Sequence, residues 1–367
     1  MKTKMIALVF VFMCINVSAQ SDGSVSESLV NGTKLTVCSL DKVKKTKTIP
    51  LSELVEDCAV VQLEYSEEAL FNPWFTTVTE KYIGVRQQGN GAYKLFSRSG
   101  KFLCDVGAMG NGPGEYAMIL YDDLIDDKNE LIYLVPMAGN KVLVYNTSGK
   151  FVKEITAPQK LNKPKLHLDK DILSVVHMAF NGDKAIALQF DVKNGQVVKN
   201  LAPPAHFLVG DFNGEIFNTH NTPAFDFCHT NSDTLYHYNI NKNAMEPVFT
   251  MTYSSSEKPY KQYMELKNRY ITNVFGKGLV MTDPQAKTSS YITVVNDFFG
   301  NMKAPFYVVH IRNGYYVYNL ESAQLMEEIE KRLGESGCSN QDKEKLKKLL
   351  STLDEDNNNV VFIGKLK

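Results

Sequence analysis

Leu95-Phe-Ser-Arg-Ser-Gly100-Lys-Phe102 is repeated closely as Val144-Tyr-Asn-Thr-Ser-Gly149-Lys-Phe151. A weaker third copy is Phe190-Asp-Val-Lys-Asn-Gly195-Gln-Val197, and a fourth, with Asn in place of Gly, is Tyr238-Asn-Ile-Asn-Lys-Asn243-Ala-Met245. Each copy reads as an apolar strand, a tight turn that needs a positive φ at Gly or Asn, and a second strand. The sequence therefore predicts a β-hairpin that recurs along the chain.

The spacing of these hairpins indicates the architecture. Their turn residues, at positions 100, 149, 195 and 243, are 49, 46 and 48 residues apart. That period leaves room for four strands of about five to seven residues and their turns, the size of one propeller blade. We therefore predict an all-β fold, a six-bladed β-propeller over residues 46–367, with residues 20–45 as an N-terminal linker.

The two ends of this region indicate how the propeller closes. Cys58-Ala-Val-Val-Gln-Leu-Glu64 and Asn359-Val-Val-Phe-Ile363 both read as strands. Completing one blade from both termini removes an exposed sheet edge, so we expect these strands to share a blade.

One segment departs from the strand pattern. Apolar residues recur at helical spacing on both sides of Gly334-Glu-Ser-Gly337, at Leu325, Ile329, Leu333, Leu346, Leu349, Leu350 and Leu353. The spacing predicts a small C-terminal helical insertion over about residues 321–354, in which two helices dock on their own domain.

The composition is that of an ordinary globular protein. The 367 residues include 40 Lys+Arg and 41 Asp+Glu, with 44% apolar residues. A net charge this close to zero gives no electrostatic basis for binding nucleic acid or an anionic membrane.

The N-terminus has the features of a signal peptide over residues 1–19. Lys2 and Lys4 precede an apolar run, 5–15, that is too short to span a bilayer, and Val17-Ser-Ala19 predicts cleavage after Ala19. A lipid anchor at Cys14 is disfavoured because bulky Phe12 and Met13 precede it. No later segment has transmembrane length. We therefore expect an exported protein, periplasmic or associated with the cell surface.

Metal-ligating residue types show no ligand spacing. The remaining cysteines lack a C-x-x-C pair, so buried thiols with at most one disulfide are expected: Cys38, Cys58, Cys104, Cys228 and Cys338. Four histidines that could converge on an axis are interpreted as turn and surface residues: His206, His220, His229 and His237. Four aspartates are interpreted as a solvated turn, not a calcium site: Asp122, Asp123, Asp126 and Asp127. No metal and no cofactor are predicted.

The glycine-rich stretch Gly107-Ala-Met-Gly110-Asn-Gly112-Pro-Gly114-Glu-Tyr116 is the most unusual local motif. It lacks the Gly-Lys-Ser/Thr of a P-loop, and Pro113 followed by strand-like residues 118–121 argues against a dinucleotide fingerprint. We interpret Gly110, Gly112, Pro113 and Gly114 as a structural loop that crosses between two blades.

Three residues are candidate ligand contacts. Glu115 and Tyr116 end the glycine loop near an inner strand, where they either face a ligand or fix the loop. Trp74, the only Trp, lies in Phe71-Asn-Pro-Trp-Phe75 and either stacks on a ligand or packs in the core.

The region from Phe96 to Phe151 resembles an NHL-type repeat. More closely, the chain resembles the exported six-bladed β-propeller proteins of Bacteroidetes. The matching stretches are Ile49-Pro-Leu-Ser-Glu-Leu-Val55, Gly112-Pro-Gly-Glu-Tyr116, Ser232-Asp-Thr-Leu-Tyr236 and the C-terminal residues 354–367. The resemblance implies the fold and export, and it implies no activity.

No catalytic motif is visible; a Gly-x-Ser-x-Gly elbow, for example, is absent. We therefore expect a non-catalytic binding or scaffold module that recognises a protein, peptide or glycan on one axial face. The alternative is a propeller enzyme, a lyase, hydrolase or lactonase, with a polar or metal-bearing axial pocket.

Overall fold

The recurring hairpin forms the third and fourth strands of a blade. The computed structural model of the protein describes residues 21–367, so the predicted signal peptide and Cys14 lie outside the described residues. The turn residues Gly100, Gly149, Gly195 and Asn243 have φ values of 91°, 79°, 72° and 51°. The predicted positive φ is confirmed at all four positions.

Six sheets, antiparallel within each blade, make up the propeller. Four strands precede the first complete blade: β1 (Val25–Val30), β2 (Thr33–Ser39), β3 (Lys45–Pro50) and β4 (Ala59–Gln62). Blade one contains β5 (Pro73–Val78), β6 (Tyr82–Gln87), β7 (Tyr93–Ser97) and β8 (Phe102–Val106). The glycine loop then holds two short parallel strands, β9 (Ala108–Met109) and β10 (Glu115–Tyr116).

Blades two to four follow in chain order. Blade two contains β11 (Leu120–Asp126), β12 (Leu131–Pro136), β13 (Ala138–Asn146) and β14 (Phe151–Asn162). Blade three contains β15 (Lys165–Asp169), β16 (Ile172–Val176), β17 (Ala187–Asp191) and β18 (Val197–Leu201). Blade four contains β19 (Ile216–Phe217), β20 (Phe225–His229), β21 (Thr234–Asn239) and β22 (Ala244–Thr252).

Blades five and six complete the ring. Blade five contains β23 (Lys261–Leu266), β24 (Arg269–Val274), β25 (Gly278–Asp283), β26 (Thr288–Asn296) and the short β27 (Met302–Lys303). Blade six contains β28 (Ile311–Arg312), β29 (Tyr315–Leu320) and β30 (Val360–Lys365), and β4 is its outer strand. Short 3₁₀ turns occupy Leu40–Lys42, Leu51–Glu53, Glu67–Ala69 and Ala205–Phe207.

The pairing of β4 with β30 closes the ring from both ends of the chain. The two strands are antiparallel, with Val360 opposite Gln62 and Ile363 opposite Ala59. The predicted shared blade is confirmed. Closure leaves the first and last blades without an open junction between them, so each buries its apolar face against a neighbour.

The N-terminal strands cover two blade edges. Strand β2 pairs in parallel with β22 of blade four, β1 pairs with β2, and β3 pairs in parallel with β26 of blade five. The structure therefore differs from the expected linker over residues 20–45, because residues 25–39 form a hairpin that extends blade four. Pairing satisfies backbone groups that the outer edge of the blade would otherwise expose.

The helical insertion lies between β29 and β30 as α1 (Ser322–Gly334) and α2 (Asn340–Leu350). The Ser339 hydroxyl accepts a hydrogen bond from the Asp342 N–H (3.1 Å) and so caps α2. Leu325, Ile329 and Leu346 are fully buried in one cluster with residues of blades five and six. The helices therefore dock on their own domain, and the predicted six-bladed propeller with a helical insertion is confirmed.

None of the helices within residues 21–367 has the length and apolar character of a membrane span.

Candidate functional site

The first strand of each blade lines the central axis. These inner strands are β5, β11, β15, β19, β23 and β28. We call the end of the axis where they begin the upper mouth and the end where they finish the lower mouth. A cavity of about 260 Å³ lies at the upper mouth and one of about 450 Å³ at the lower mouth.

Buried charges separate the two cavities. Arg86, Asp122, Asp123, Lys165 and Arg312 are each at most 3% exposed, and together they form one ion network across the axis. The closest contacts join Arg86 Nε to Asp123 Oδ1 (2.7 Å) and Arg312 Nη2 to Asp122 Oδ1 (2.6 Å). The axis is thus closed by paired charges, which require buried partners to offset the loss of hydration.

Strand alternation explains how two adjacent aspartates serve three blades. Successive side chains of β11 point to opposite faces of the sheet. Asp123 faces blade one, where it accepts hydrogen bonds from Arg86 and from the Tyr93 hydroxyl (2.9 Å). Asp122 faces the other way and accepts from Arg312 and from the Leu166 N–H of blade three (2.8 Å).

These contacts keep Asp122 ionised. Burial alone would raise the pKa of Asp122, but the positive charges of Arg312, Lys165 and Arg86 outweigh it and hold that pKa well below its usual range. The interpretation of the aspartate cluster as a solvated turn is therefore wrong for Asp122 and Asp123, which are 0% and 2% exposed.

The upper cavity has aromatic walls over a charged floor. Its lining includes Trp74, Phe75, Tyr121, Phe217 and Gln262. The Trp74 ring meets the rings of Phe75 and Tyr121 edge to face, with centroids 5.4 and 6.2 Å apart. An apolar side chain or ring entering this cavity would contact aromatic surface on several sides.

Lys165 lies at the base of the upper cavity. Its Nζ donates to the Tyr121 carbonyl (3.2 Å), lies 4.2 Å from the centre of the Tyr121 ring and is 3.9 Å from Asp122 Oδ1. Burial lowers the pKa of Lys165 to about 7, although Asp122 acts in the opposite direction. The amine therefore loses its proton more readily than that of an exposed lysine.

Two stacked imidazoles mark the lower cavity. The rings of His167 and His220 are 5.7 Å apart and both stack with Phe225. Burial lowers the pKa of both histidines, that of His220 to about 4, so both are neutral at physiological pH. Of the four histidines predicted to be scattered, His220 alone lines this cavity. Its stacking partner His167 was not among them.

Of the three predicted ligand contacts, Trp74 lines the upper cavity, whereas Glu115 and Tyr116 lie in the glycine loop. Tyr116 is 1% exposed and its hydroxyl accepts from the Tyr93 N–H (3.2 Å), whereas the exposed Glu115 accepts from the Gly112 N–H (2.7 Å) and so ties the glycine loop together. Gly114 leaves no room for a Cβ, which would lie 2.7 Å from the Phe151 ring. At Gly110 a Cβ would lie 2.0 Å from the carboxylate of the exposed Glu115, which would have to move and give up its bond to the loop.

Metal and disulfide chemistry find no support in the described part of the chain. Residues 21–367 contain no group of three or more His, Cys, Asp or Glu side chains arranged to hold a metal ion. All five cysteines in that range are free thiols.

Sequence reasoning missed the two arginines of the network. Arg86 and Arg312 each follow apolar residues, in Tyr82-Ile-Gly-Val-Arg86 and in Val308-Val309-His-Ile-Arg312. A charged residue within a buried strand needs a partner of opposite charge, and this was the available signal. The partner itself could not be assigned, because Arg312 and Asp122 are 190 residues apart.

The family comparison covers nearly the whole propeller. A family described as a domain of unknown function, DUF4934, matches residues 35–365. Among the curated proteins no significant match is found.

Two of the similar solved structures are proteins of Bacteroides. A Bacteroides fragilis protein presumed to be exported is 16% identical, with a TM-score of 0.63 over 89% of this chain and 99% of that chain. A member of the DUF4221 family from Bacteroides vulgatus is 11% identical, with a TM-score of 0.46 over 86% of this chain and 98% of that chain. At these identities the first likeness shows the fold alone.

Proposed function

The chain belongs to the DUF4934 family, and we propose that this member is an exported binding module, periplasmic or on the cell surface, that holds a polypeptide partner at its upper mouth. Its blades are proposed to be NHL-like and of the kind found in exported propellers of Bacteroidetes. The fold provides a rigid ring, and the residues at the upper mouth provide the recognition surface.

Exposed apolar residues in the segments that lead into the inner strands carry this proposal. Five of the six inner strands have a large hydrophobic residue, 36% to 46% exposed, within four residues before they begin. These residues are Leu70, Met118, Phe212, Tyr260 and Tyr307. On the proposal, these side chains contribute to one apolar surface on the upper face, the kind of surface to which protein partners bind.

The upper cavity supplies a central anchor point for that face. Protein interfaces concentrate their binding energy in a few buried side chains near their centre. A volume of about 260 Å³ accommodates one aliphatic or aromatic side chain of a partner. Trp74 and Tyr121 would contact that side chain, and Gln262 would bind its backbone.

The test is selection of a phage-displayed peptide library on the purified protein. We expect enriched peptides to share one large apolar residue. In calorimetry, Trp74→Ala should lower the affinity for the selected peptide roughly thirtyfold, the effect of losing a hot-spot residue. Val198→Ser, which changes an exposed residue of outer strand β18, should not change the affinity. Equal peptide affinity for Trp74→Ala, or a selection that enriches no peptide with a large apolar residue, would overturn the proposal.

Lys165 favours a second candidate function, an enzyme that acts on a carbonyl compound. An uncharged Lys165 amine can condense with an aldehyde or ketone to give an imine and water. Lys163 is the matched control, because its Nζ donates to the Phe212 carbonyl (3.0 Å), the Gly214 carbonyl (2.7 Å) and Glu215, and so has no free donor position.

Reductive trapping tests this alternative. The protein is incubated at pH 7 with butanal and cyanoborohydride, and peptide masses locate the alkylated lysines. Modification of Lys165 ahead of Lys163 supports the enzyme. Modification confined to exposed lysines would exclude imine formation at the upper cavity.

A further inference from the structure

Three buried polar atoms at the lower mouth have no partner. Thr77 Oγ1, Thr222 Oγ1 and Arg312 Nε are buried and make no hydrogen bond to any atom of residues 21–367. All three side chains line the cavity of about 450 Å³, and they come from blades one, four and six. A buried polar atom without a partner costs free energy, about 1–3 kcal/mol. Rotation about χ1 can turn the two threonine hydroxyls toward the cavity, and a ligand that bonded to them there would recover that cost.

Further polar groups of this cavity are within reach of a ligand. The ring nitrogens of the partly buried His167 make no hydrogen bond within the described chain, and Asn313 is also part of the lining. The neutral imidazole offers one donor and one acceptor, and the amide oxygen of Asn313 offers an acceptor. The cavity therefore presents donors and acceptors together.

The buried charges at the lower mouth are already paired. The Asp126, Asp127 and Lys128 side chains, which also line the cavity, carry charges of both signs and form no ion pair within the described chain. Arg312 is bound to Asp122, and Asp123 is bound to Arg86. The Asp126 carboxylate accepts from the backbone N–H groups of residues 128 and 129, and the Asp127 carboxylate accepts from the Thr79 hydroxyl (2.7 Å). A charged ligand would find no free counter-charge among the buried groups, and this favours a neutral ligand.

We propose that the lower mouth is a second binding site, for a small neutral polyhydroxylated ligand of the size of a mono- or disaccharide. Each hydroxyl of such a ligand both donates and accepts, which matches the mixture of Thr77, Thr222, His167 and Asn313. Its apolar C–H face would lie on the stacked histidine rings. The ion network separates this site from the upper cavity, so the two mouths bind independently.

The experiment is titration with a panel of neutral mono- and disaccharides, glucose, galactose, mannose, N-acetylglucosamine and their β-linked dimers, followed by NMR saturation transfer and calorimetry. We expect saturable binding of at least one sugar. Thr77→Val and Thr222→Val should each lower the affinity for that sugar roughly three- to tenfold, the effect of one lost hydrogen bond. His167→Phe, which keeps the ring and removes its nitrogens, should weaken it by a similar factor.

Controls separate binding from folding and from the upper mouth. Thr272→Val removes another buried hydroxyl without a partner in the described chain, outside the lining of either mouth, and should leave the affinity unchanged. Trp74→Ala should also leave it unchanged, so failure here is distinct from failure of the peptide-binding proposal. Melting temperatures of the valine variants should equal or exceed that of the wild type.

The inference would be overturned by no binding of any sugar up to 10 mM, by sugar binding that both valine variants retain, or by binding of acetate, phosphate or Ca²⁺ at this mouth in place of sugar.

Discussion

Replacing Asp122 by Leu should destabilise the protein strongly, because it leaves buried positive charge without its partner. Asp122 is fully buried and bonded to Arg312 Nη2 at 2.6 Å. Removing one member of a buried ion pair costs about 3–5 kcal/mol. With an unfolding entropy of about 2.1 cal/mol/K per residue, a chain of this length loses stability at roughly 0.7 kcal/mol per degree. The expected decrease in melting temperature is therefore about 4–7 °C.

The assay is thermal and urea unfolding followed by far-UV circular dichroism. The control is Asp171→Asn, which breaks a pair between Asp171 and Lys193 whose side chains are 57% and 72% exposed. Such a surface pair contributes at most about 1 kcal/mol. The control should therefore melt within about 1.5 °C of the wild type.

A double variant identifies the cause. Adding Arg312→Met to Asp122→Leu removes both charges, and replacing a buried pair by apolar residues is often neutral. The double variant should regain at least half of the lost stability. If Asp122→Leu melts like the control, or if the effects of the two substitutions on stability simply add, Asp122 and Arg312 are not the coupled buried ion pair described here.

Three further predictions use other parts of the molecule. In urea unfolding, Gly149→Ala should destabilise the protein by about 1–3 kcal/mol more than Gly195→Ala. Both turns have positive φ, but only at Gly149 would a Cβ meet a neighbouring blade, 2.4 Å from the Asp105 carbonyl. Equal losses of stability in the two variants would contradict this contact. The free energy of unfolding should rise between pH 7 and 10. Burial lowers the pKa of Lys165 to about 7 from a usual 10.5, so in this range the unfolded chain binds more protons than the folded chain. In urea titrations Lys165→Met should flatten this rise, and an unchanged slope would refute the lowered pKa of Lys165. Leu346→Ala should cost about 2–5 kcal/mol, because Leu346 is fully buried between the insertion and blade five; a cost below 1 kcal/mol in the same assay would mean that the helices do not pack on the propeller as described.

The two mouths of the axis differ in chemistry although the same six strands form both. At the upper mouth the entering loops carry exposed apolar residues around an aromatic cavity. At the lower mouth the tight turns leave polar side chains such as Thr222 and Asn313 in the lining. The ion network lies between them. On the two proposals made above, the mouths hold different ligands without competition.

The local features of this fold were predictable from the sequence because they depend on near neighbours in the chain. Apolar alternation predicts the strands, the repeated Ser-Gly-Lys-Phe predicts turns that need positive φ, and the leucine spacing of residues 321–354 predicts helices. The period of these signals then indicates the number of blades. The hairpin β1–β2 was not predicted, because its partner β22 is about 210 residues away and nothing local marks the pairing.

Only the tertiary structure decided what the axis contains. Asp122 and Asp123 look like turn residues in the sequence, since Asp is common in turns and the chain gives no sign of its partners. Closure of the ring brings Arg86 and Arg312 from the first and last blades against them. It also places Thr77 and Thr222 in the lining of one cavity. Contacts made across a ring depend on how six strands, far apart in the chain, are arranged around one axis, and local residue preferences carry no information about that arrangement.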